Sequence, residues 1–456
     1  MNQQHYLEND NVQTLTSYDP ITLKAIGDVV ITTPTQIPIL IAQARQAQKI
    51  WAELPLTERQ NIITHAYQHL ELFEDQMAKL ISQEMGKDIR RATYEVGGTV
   101  SNGAHFASEI AKALATIHLG RDTEIQYRPL GIVAVISPWN YPLAMANNLL
   151  MPALLAGNSV ILKPSEETPL VAEIFVNSLN EILPEGVLQL AQGDEKTGQA
   201  LVESDINMVA FTGSMAAGKH IMANAASGLK RLVMELGGND PLIVMDDADI
   251  NAAAQFAVAS SFENAGQMCT STERVYVDAC IAADFEKKVV AHANQYRVGP
   301  WDQPRVNIGP MVNKKQHQNV LEQLKDATSK GAQLLLGQDD YPLPFIQPTV
   351  ITGMTTDMRL EQDETFGPVV AISHYEHISE AITRANDSLY GLGAVVFGDE
   401  GADAVAEQLE AGMIGINHSV GGPGGTPWVG AKQSGFGFHG SIEGHRQFAQ
   451  VRVINK

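Results

Sequence analysis

From Gly131 onward, short β-branched runs alternate with segments long enough to be helices, and this alternation constrains the fold more than any other feature. GIVAVI (131–136), SVILK (159–163), GVLQL (186–190), NMVAF (207–211) and KRLVME (230–235) read as strands. A second series follows: PLIVM (241–245), RVYVD (274–278), PVVAIS (368–373), LGAVVF (392–397) and MIGIN (413–417). Strands apolar throughout and separated by helices belong in mostly parallel sheets covered on both faces. Two such series predict two α/β units that meet near residue 240. Upstream, residues 36–52 carry apolar positions at helical spacing. Thr57 and Gln60 form a capping box for the next helix, and residues 88–115 read as helical. The tail QVRVINK (450–456) reads as a last strand, which needs a partner in residues 125–130 or in another subunit.

Composition narrows the function classes. A formal net charge of -21 argues against binding nucleic acid or anionic lipid without specificity. The only two cysteines, Cys269 and Cys280, exclude a disulfide framework and a multi-cysteine zinc site, so no metal is expected. The most apolar stretch, Leu149–Leu162, is too short to span a membrane and is interrupted by Pro152, Gly157 and Asn158. The N-terminal MNQQHYLENDN has no basic block followed by an apolar one, so the expected location is the cytoplasm.

Several candidate sites stand at strand ends, where open α/β sheets bind ligands. Cys269, in NAGQMCTSTER, sits in a loop of small residues feeding a strand; a nucleophile and a structural thiol are both open. Cys280 has no such setting. Glu235, in MELGGND, ends a strand and precedes two glycines; it reads as a general base or as an ordinary paired carboxylate. Asn140, in SPWNYP, offers an amide for an oxyanion or merely ends a proline-bracketed turn. FTGSMAAGK (211–219) opens a helix and suits an anion. His220 stands where a phosphate-cradling loop needs Ser or Thr for Mg²⁺, which counts against nucleotide hydrolysis. Lys163 and Glu166 are spaced to flank a ribose, and Glu364 with Phe366 offers a similar carboxylate beside an aromatic face.

Taken in order, EMGK (84–87), SPWN (137–140), LKPSE (162–166), FTGS (211–214), ELGG (235–238), GQMC (266–269), ETFGP (364–368) and KQSGFG (432–437) resemble the aldehyde dehydrogenase superfamily from about Pro20 to the end. The resemblance implies an α/β subunit in three parts. A Rossmann-type NAD(P)-binding domain would take residues 1–120 and 138–239, and an α/β catalytic domain residues 240–438. A small β oligomerisation arm would take residues 121–137 and 439–456, giving a homodimer or homotetramer. It also implies roles. Cys269 would attack an aldehyde as the thiolate, Asn140 and the Cys269 N–H would hold the oxyanion, and Glu235 would activate water against the thioester. The cofactor would contact Trp139, Lys163, Ser165, Glu166, Thr212, Gly213, Ser214, Leu236, Gly237, Glu364 and Phe366.

The coenzyme A-acylating branch typically lacks a base like Glu235, so a free acid is the expected product. Glu166 would repel a 2′-phosphate, so NAD is the expected cofactor, with NADP the alternative that Lys163 and Ser165 could partly accommodate. Two positions depart from the family pattern. Val429 replaces a usual glycine and would narrow the loop near the substrate tunnel. Glu263 stands six residues before Cys269, where much of the succinate-semialdehyde branch has arginine. If Glu263 faces the tunnel it disfavours an anionic aldehyde; otherwise it points to solvent. Succinate semialdehyde is the runner-up substrate. A non-catalytic structural protein of the same fold is the competing class, and thiol reactivity separates the two.

Overall fold

The computed structural model describes residues 13–456. Its first large sheet has six strands in the order Gly435–Phe436, Arg231–Glu235, Met208–Thr212, Ile132–Ile136, Ser159–Lys163 and Leu188–Leu190. All neighbours run parallel except Gly435–Phe436, which pairs antiparallel with Glu235 and Met234. The chain leaves Ile132–Ile136 toward one edge and returns on its other side with Met208–Thr212. The crevice for ligands therefore opens above the carboxyl ends of these two strands.

The second sheet has seven strands in the order Gln333–Leu336, Thr349–Thr352, Val369–Tyr375, Thr272–Asp278, Asp240–Val244, Gly393–Phe397 and Met413–Ile416. Only Gln333–Leu336 is antiparallel to its neighbour. Asp240–Val244 and Gly393–Phe397 are buried along their whole length, and Thr272–Asp278 and Val369–Tyr375 at all but one residue, which is why they read as unbroken apolar runs. The four residues Leu236–Asn239 join the two sheets. The carboxyl edge of the first thereby faces the amino edge of the second.

Helices cover both sheets. Ile37–Glu53 matches its sequence reading. The next helix, Leu56–Leu70, starts directly after Pro55 with no side-chain cap, so Thr57 and Gln60 lie inside it and form no capping box. Pro55, at φ -54, already has the helical φ and lets the helix begin at once. The 88–115 segment is two helices, Ile89–Val100 and Gly103–Leu114. Gly103 lies against Tyr67 so closely that a Cβ would come within 2.3 Å of its ring. The apolar 149–162 stretch is the buried end of helix Pro142–Leu155 and the interior strand after it. No helix among the described residues is long and apolar enough to cross a membrane.

The terminal strand Ala449–Asn455 pairs antiparallel with Thr123–Pro129, which also pairs with Ile117–Leu119. Ile132–Ile136, which the resemblance would place in the 121–137 arm, lies instead in the six-stranded sheet, where its reading as a strand of the parallel series puts it. Gly131 makes the separation: its φ is +134, and a Cβ there would strike the Asn207 side chain at 2.2 Å. The hairpin Thr14–Tyr18 with Ala25–Val30 and the strands Gln333–Leu336 and Thr349–Thr352 were not expected from sequence.

Candidate active site

A cavity of about 360 Å³ lies between the facing edges of the two sheets. Cys269, Glu235 and Asn140 all line it, together with Trp139, Thr212, Gly213, Ser214, Leu236, Gly237, Glu364 and Phe366. Lys163, Ser165 and Glu166 do not. They stand at the carboxyl end of the adjacent strand, where Lys163 Nζ lies 3.5 Å from Glu166 Oε2. Cys280 is exposed in a turn far along the chain's second sheet and takes no part.

The loop carrying Cys269 is held from several directions. Asn264, Ala265 and Gly266 adopt successive positive φ values of 51, 59 and 72. Such conformations persist for non-glycine residues only where the surroundings enforce them. Here they do. A Cβ on Gly266 would come within 2.1 Å of the Gly367 carbonyl, so no larger residue fits. Gln267 is buried; it donates to the Asn264 and Pro310 carbonyls and accepts from the Val312 N–H at 2.9 Å. Gly238 completes the clamp, because a Cβ there would meet the Cys269 carbonyl at 2.3 Å.

Asn140 follows the strand Ile132–Ile136. Its Nδ2 donates to the Gln267 carbonyl at 3.1 Å and its Oδ1 accepts from the Tyr141 N–H at 3.1 Å. One amide hydrogen of Asn140 is therefore left for the cavity. Behind it, buried Lys87 and Glu95 form an ion pair at 2.6 Å. Glu95 Oε1 accepts from Leu143 and Ala144 N–H at 3.0 and 3.2 Å, which caps helix Pro142–Leu155. Lys87 Nζ lies 3.5 Å over the Tyr141 ring. The turn Trp139–Tyr141 is thus fixed by residues from a distant part of the sequence.

Glu235 ends its strand with the carboxylate buried and hydrogen-bonded to nothing among the described residues. Burial raises its pKa, moderated by nearby Cys269, Trp428 and Thr212. The Cys269 thiol is half-buried in the cavity wall. Burial first, and then the Glu235 carboxylate, push its pKa well above the ordinary thiol range. A thiol facing a carboxylate with an unsatisfied amide N–H nearby can support covalent attack on a carbonyl and later proton transfer.

The opposite wall suits a dinucleotide. Ser214 caps helix Met215–Ala225, its Oγ accepting from the Ala217 N–H at 3.3 Å, so free N–H groups and the positive helix end face the cavity. Gly237 allows Glu364 to approach: a Cβ would sit 2.5 Å from Glu364 Oε2. Glu364 Oε1 in turn accepts from Gly238 N–H at 3.0 Å, and burial raises its pKa. Thr212 Oγ1 is buried without a hydrogen-bond partner among the described residues. Phe366, at φ +52, meets Trp139 edge to face at 5.6 Å.

Sequence reasoning missed several residues. Glu273 accepts from the Thr365 and Phe366 N–H groups at 2.6 and 2.7 Å and so shapes the turn presenting Glu364. Ser434 donates to the Gly237 carbonyl at 2.7 Å and accepts from Gly391 N–H at 2.9 Å. Tyr141, Met145, Met268, Gln316, Asn319 and Trp428 line the cavity. Val429 does not; its neighbour Trp428 fills that place. Glu263 points neither into the cavity nor freely to solvent. Its Oε1 accepts from Arg91 Nε at 2.7 Å and from Tyr141 OH at 3.3 Å.

A family model described as "Aldehyde dehydrogenase family" matches residues 6–454. The chain is similar to a probable succinate-semialdehyde dehydrogenase [NADP(+)] of Sinorhizobium fredii, 32% identical over 97% of this chain and 92% of that one. Among solved structures it resembles an aldehyde dehydrogenase from Brucella melitensis biovar abortus, with TM-score 0.92 and 33% identity over 97% of this chain and 93% of that one. It also resembles lactaldehyde dehydrogenase from Escherichia coli, with TM-score 0.92 and 30% identity over 97% and 96%.

Proposed function

The chain belongs to the aldehyde dehydrogenase family, and from that premise we propose that it oxidises an aldehyde to the free carboxylic acid through a thioester on Cys269. The observation that carries this reading is the placement of Cys269, Glu235 and Asn140 around one cavity with Glu364 on its far wall. The Cys269 thiolate attacks the aldehyde carbon, and the new oxyanion takes the free amide hydrogen of Asn140 and the backbone N–H of Cys269. Glu235 accepts the thiol proton as the attack begins. A nicotinamide dinucleotide, when bound, supplies the hydride acceptor that turns the thiohemiacetal into a thioester. Glu235 passes that first proton to solvent, and then takes a proton from water as that water attacks the thioester carbon and Cys269 leaves as the thiolate.

Trp139, Thr212, Gly213, Ser214, Leu236, Gly237, Glu364 and Phe366 would hold the nicotinamide and pyrophosphate end. Lys163, Ser165 and Glu166 would hold the adenosine end. The glycine cradle and the unpartnered Thr212 hydroxyl fit such a group. The Glu166 carboxylate favours NAD over NADP. The relative named for NADP(+) supports the alternative.

The same relative favours a second reading for the substrate, succinate semialdehyde. An arm built on Thr123–Pro129 and Ala449–Asn455 supports a homo-oligomer. The test is reduced-cofactor formation by the purified protein with NAD and NADP across aliphatic, aromatic and semialdehyde substrates. Turnover that vanishes in Cys269→Ala supports the reading; turnover that survives the substitution sinks it.

A further inference from the structure

We propose, resting on the aldehyde-oxidising reading above, that this site selects aldehydes with uncharged tails, and that Glu263 together with Arg91 and Tyr141 sets the preference. No lysine, arginine or histidine lines the cavity among the described residues, whereas two carboxylates, Glu235 and Glu364, do. The cavity lining also includes Met145, Met268, Trp428 and Tyr141, which offer apolar or aromatic surface, and the uncharged amides of Gln316 and Asn319.

The cations around Tyr141 and Glu263 are already engaged. Arg91 donates through Nε to Glu263 at 2.7 Å, and through Nη1 to Asp88 at 2.7 Å and to the Asn307 carbonyl at 3.1 Å. One guanidinium thus stands between two carboxylates. Arg90 is mostly exposed and reaches only Asp88, at 3.9 Å. Lys87 is fully buried and paired with Glu95.

Tyr141 transmits this arrangement to the cavity. Its hydroxyl points at Glu263 Oε1, so it donates there and not to a substrate, and its ring is held from the other side by Lys87. A substrate tail beside Tyr141 therefore meets an apolar surface whose flanking charges are already paired with one another. A carboxylate tail would be stripped of water with no counter-ion to replace it. An uncharged tail loses nothing on entering, and methionine and aromatic walls adapt to its shape.

The experiment compares succinate semialdehyde with its methyl ester, which has the same reacting carbon and no tail charge, and includes butanal. The ester is expected to exceed the acid in kcat/KM by about a hundredfold, because juxtaposed like charges cost several kcal/mol and each tenfold is about 1.4 kcal/mol. Glu263→Gln, which removes one of the flanking negative charges, is expected to narrow that ratio by roughly tenfold. An acid oxidised as well as or better than the ester overturns the inference while leaving the aldehyde-oxidising reading intact. An unchanged ratio in Glu263→Gln removes Glu263 from the account. No turnover of any of the three by folded protein refutes the underlying reading and the inference together.

Discussion

Replacing Glu95 by glutamine isolates one charge beneath the candidate active site. The amide keeps an acceptor for the Leu143 and Ala144 N–H groups, so the helix cap survives, but Lys87 loses its counter-ion in a place with no exposed side-chain surface. Removing one partner of a buried pair typically costs 3–5 kcal/mol, since the other charge is left uncompensated. A ceiling follows from proton release. An ammonium of ordinary pKa 10.5 gives up its proton near pH 7 for about 5 kcal/mol, at ~1.36 kcal/mol per unit.

The sign of the pH dependence is fixed. Burial already lowers the Lys87 pKa, and the variant lowers it further, so the folded state holds fewer protons than the unfolded one. The variant therefore gains stability relative to wild type as pH rises toward 10.5. Near pH 9 the ceiling falls to about 2 kcal/mol. Urea denaturation of both proteins across this range measures the difference. Lys87→Met in the Glu95→Gln background should restore most of the loss, because it removes the orphaned charge. A loss under about 1 kcal/mol near pH 7, or one that does not shrink with pH, would refute the argument.

Other outcomes follow from the site. Asn140→Ala should lower kcat by roughly 10²–10³-fold while cofactor binding persists, measured by steady-state kinetics and Trp139 fluorescence. Gly237→Ala should raise the cofactor Kd at least about tenfold, since the new Cβ displaces Glu364; titration calorimetry reads it, and an unchanged Kd would remove Glu364 from the cofactor site. In cofactor-free protein, iodoacetamide should alkylate Cys269 slowly at neutral pH and faster as pH rises. Glu235→Gln should speed that reaction near pH 8, because losing a negative neighbour lowers the thiol pKa and each unit is about tenfold in thiolate. Slower alkylation in the variant would contradict the assigned electrostatics.

The two large sheets were legible because their strands are apolar on both faces and compete with no other periodicity. Val160, Val209, Leu242 and Val396 are completely buried, as a parallel sheet between helices requires. The N-terminal hairpin was not legible. Thr14–Tyr18 and Ala25–Val30 are mostly surface strands, and their composition does not separate them from a loop. The capping box failed because Pro55 starts the helix earlier than side-chain signals suggest.

At the site, Cys269, Glu235 and Asn140 could be picked out because each adjoins a strand in a recognisable motif. Glu273 could not: its partners lie 92 and 93 residues away, and only the fold brings them together. The same holds for Arg91 and Glu263, 172 residues apart. Sequence left two orientations for Glu263, cavity or solvent, and an ion pair that neither considered decides it.

The central claim is that an acyl group passes through Cys269 and is released by Glu235. Mass spectrometry of Glu235→Gln, quenched during turnover with aldehyde and cofactor, tests it directly. The account predicts that the peptide containing Cys269 gains the mass of the acyl group, that hydroxylamine removes it, and that wild type shows far less. An unmodified Cys269 peptide in an enzyme that is visibly turning over, or an acyl group on Cys280 instead, would contradict it.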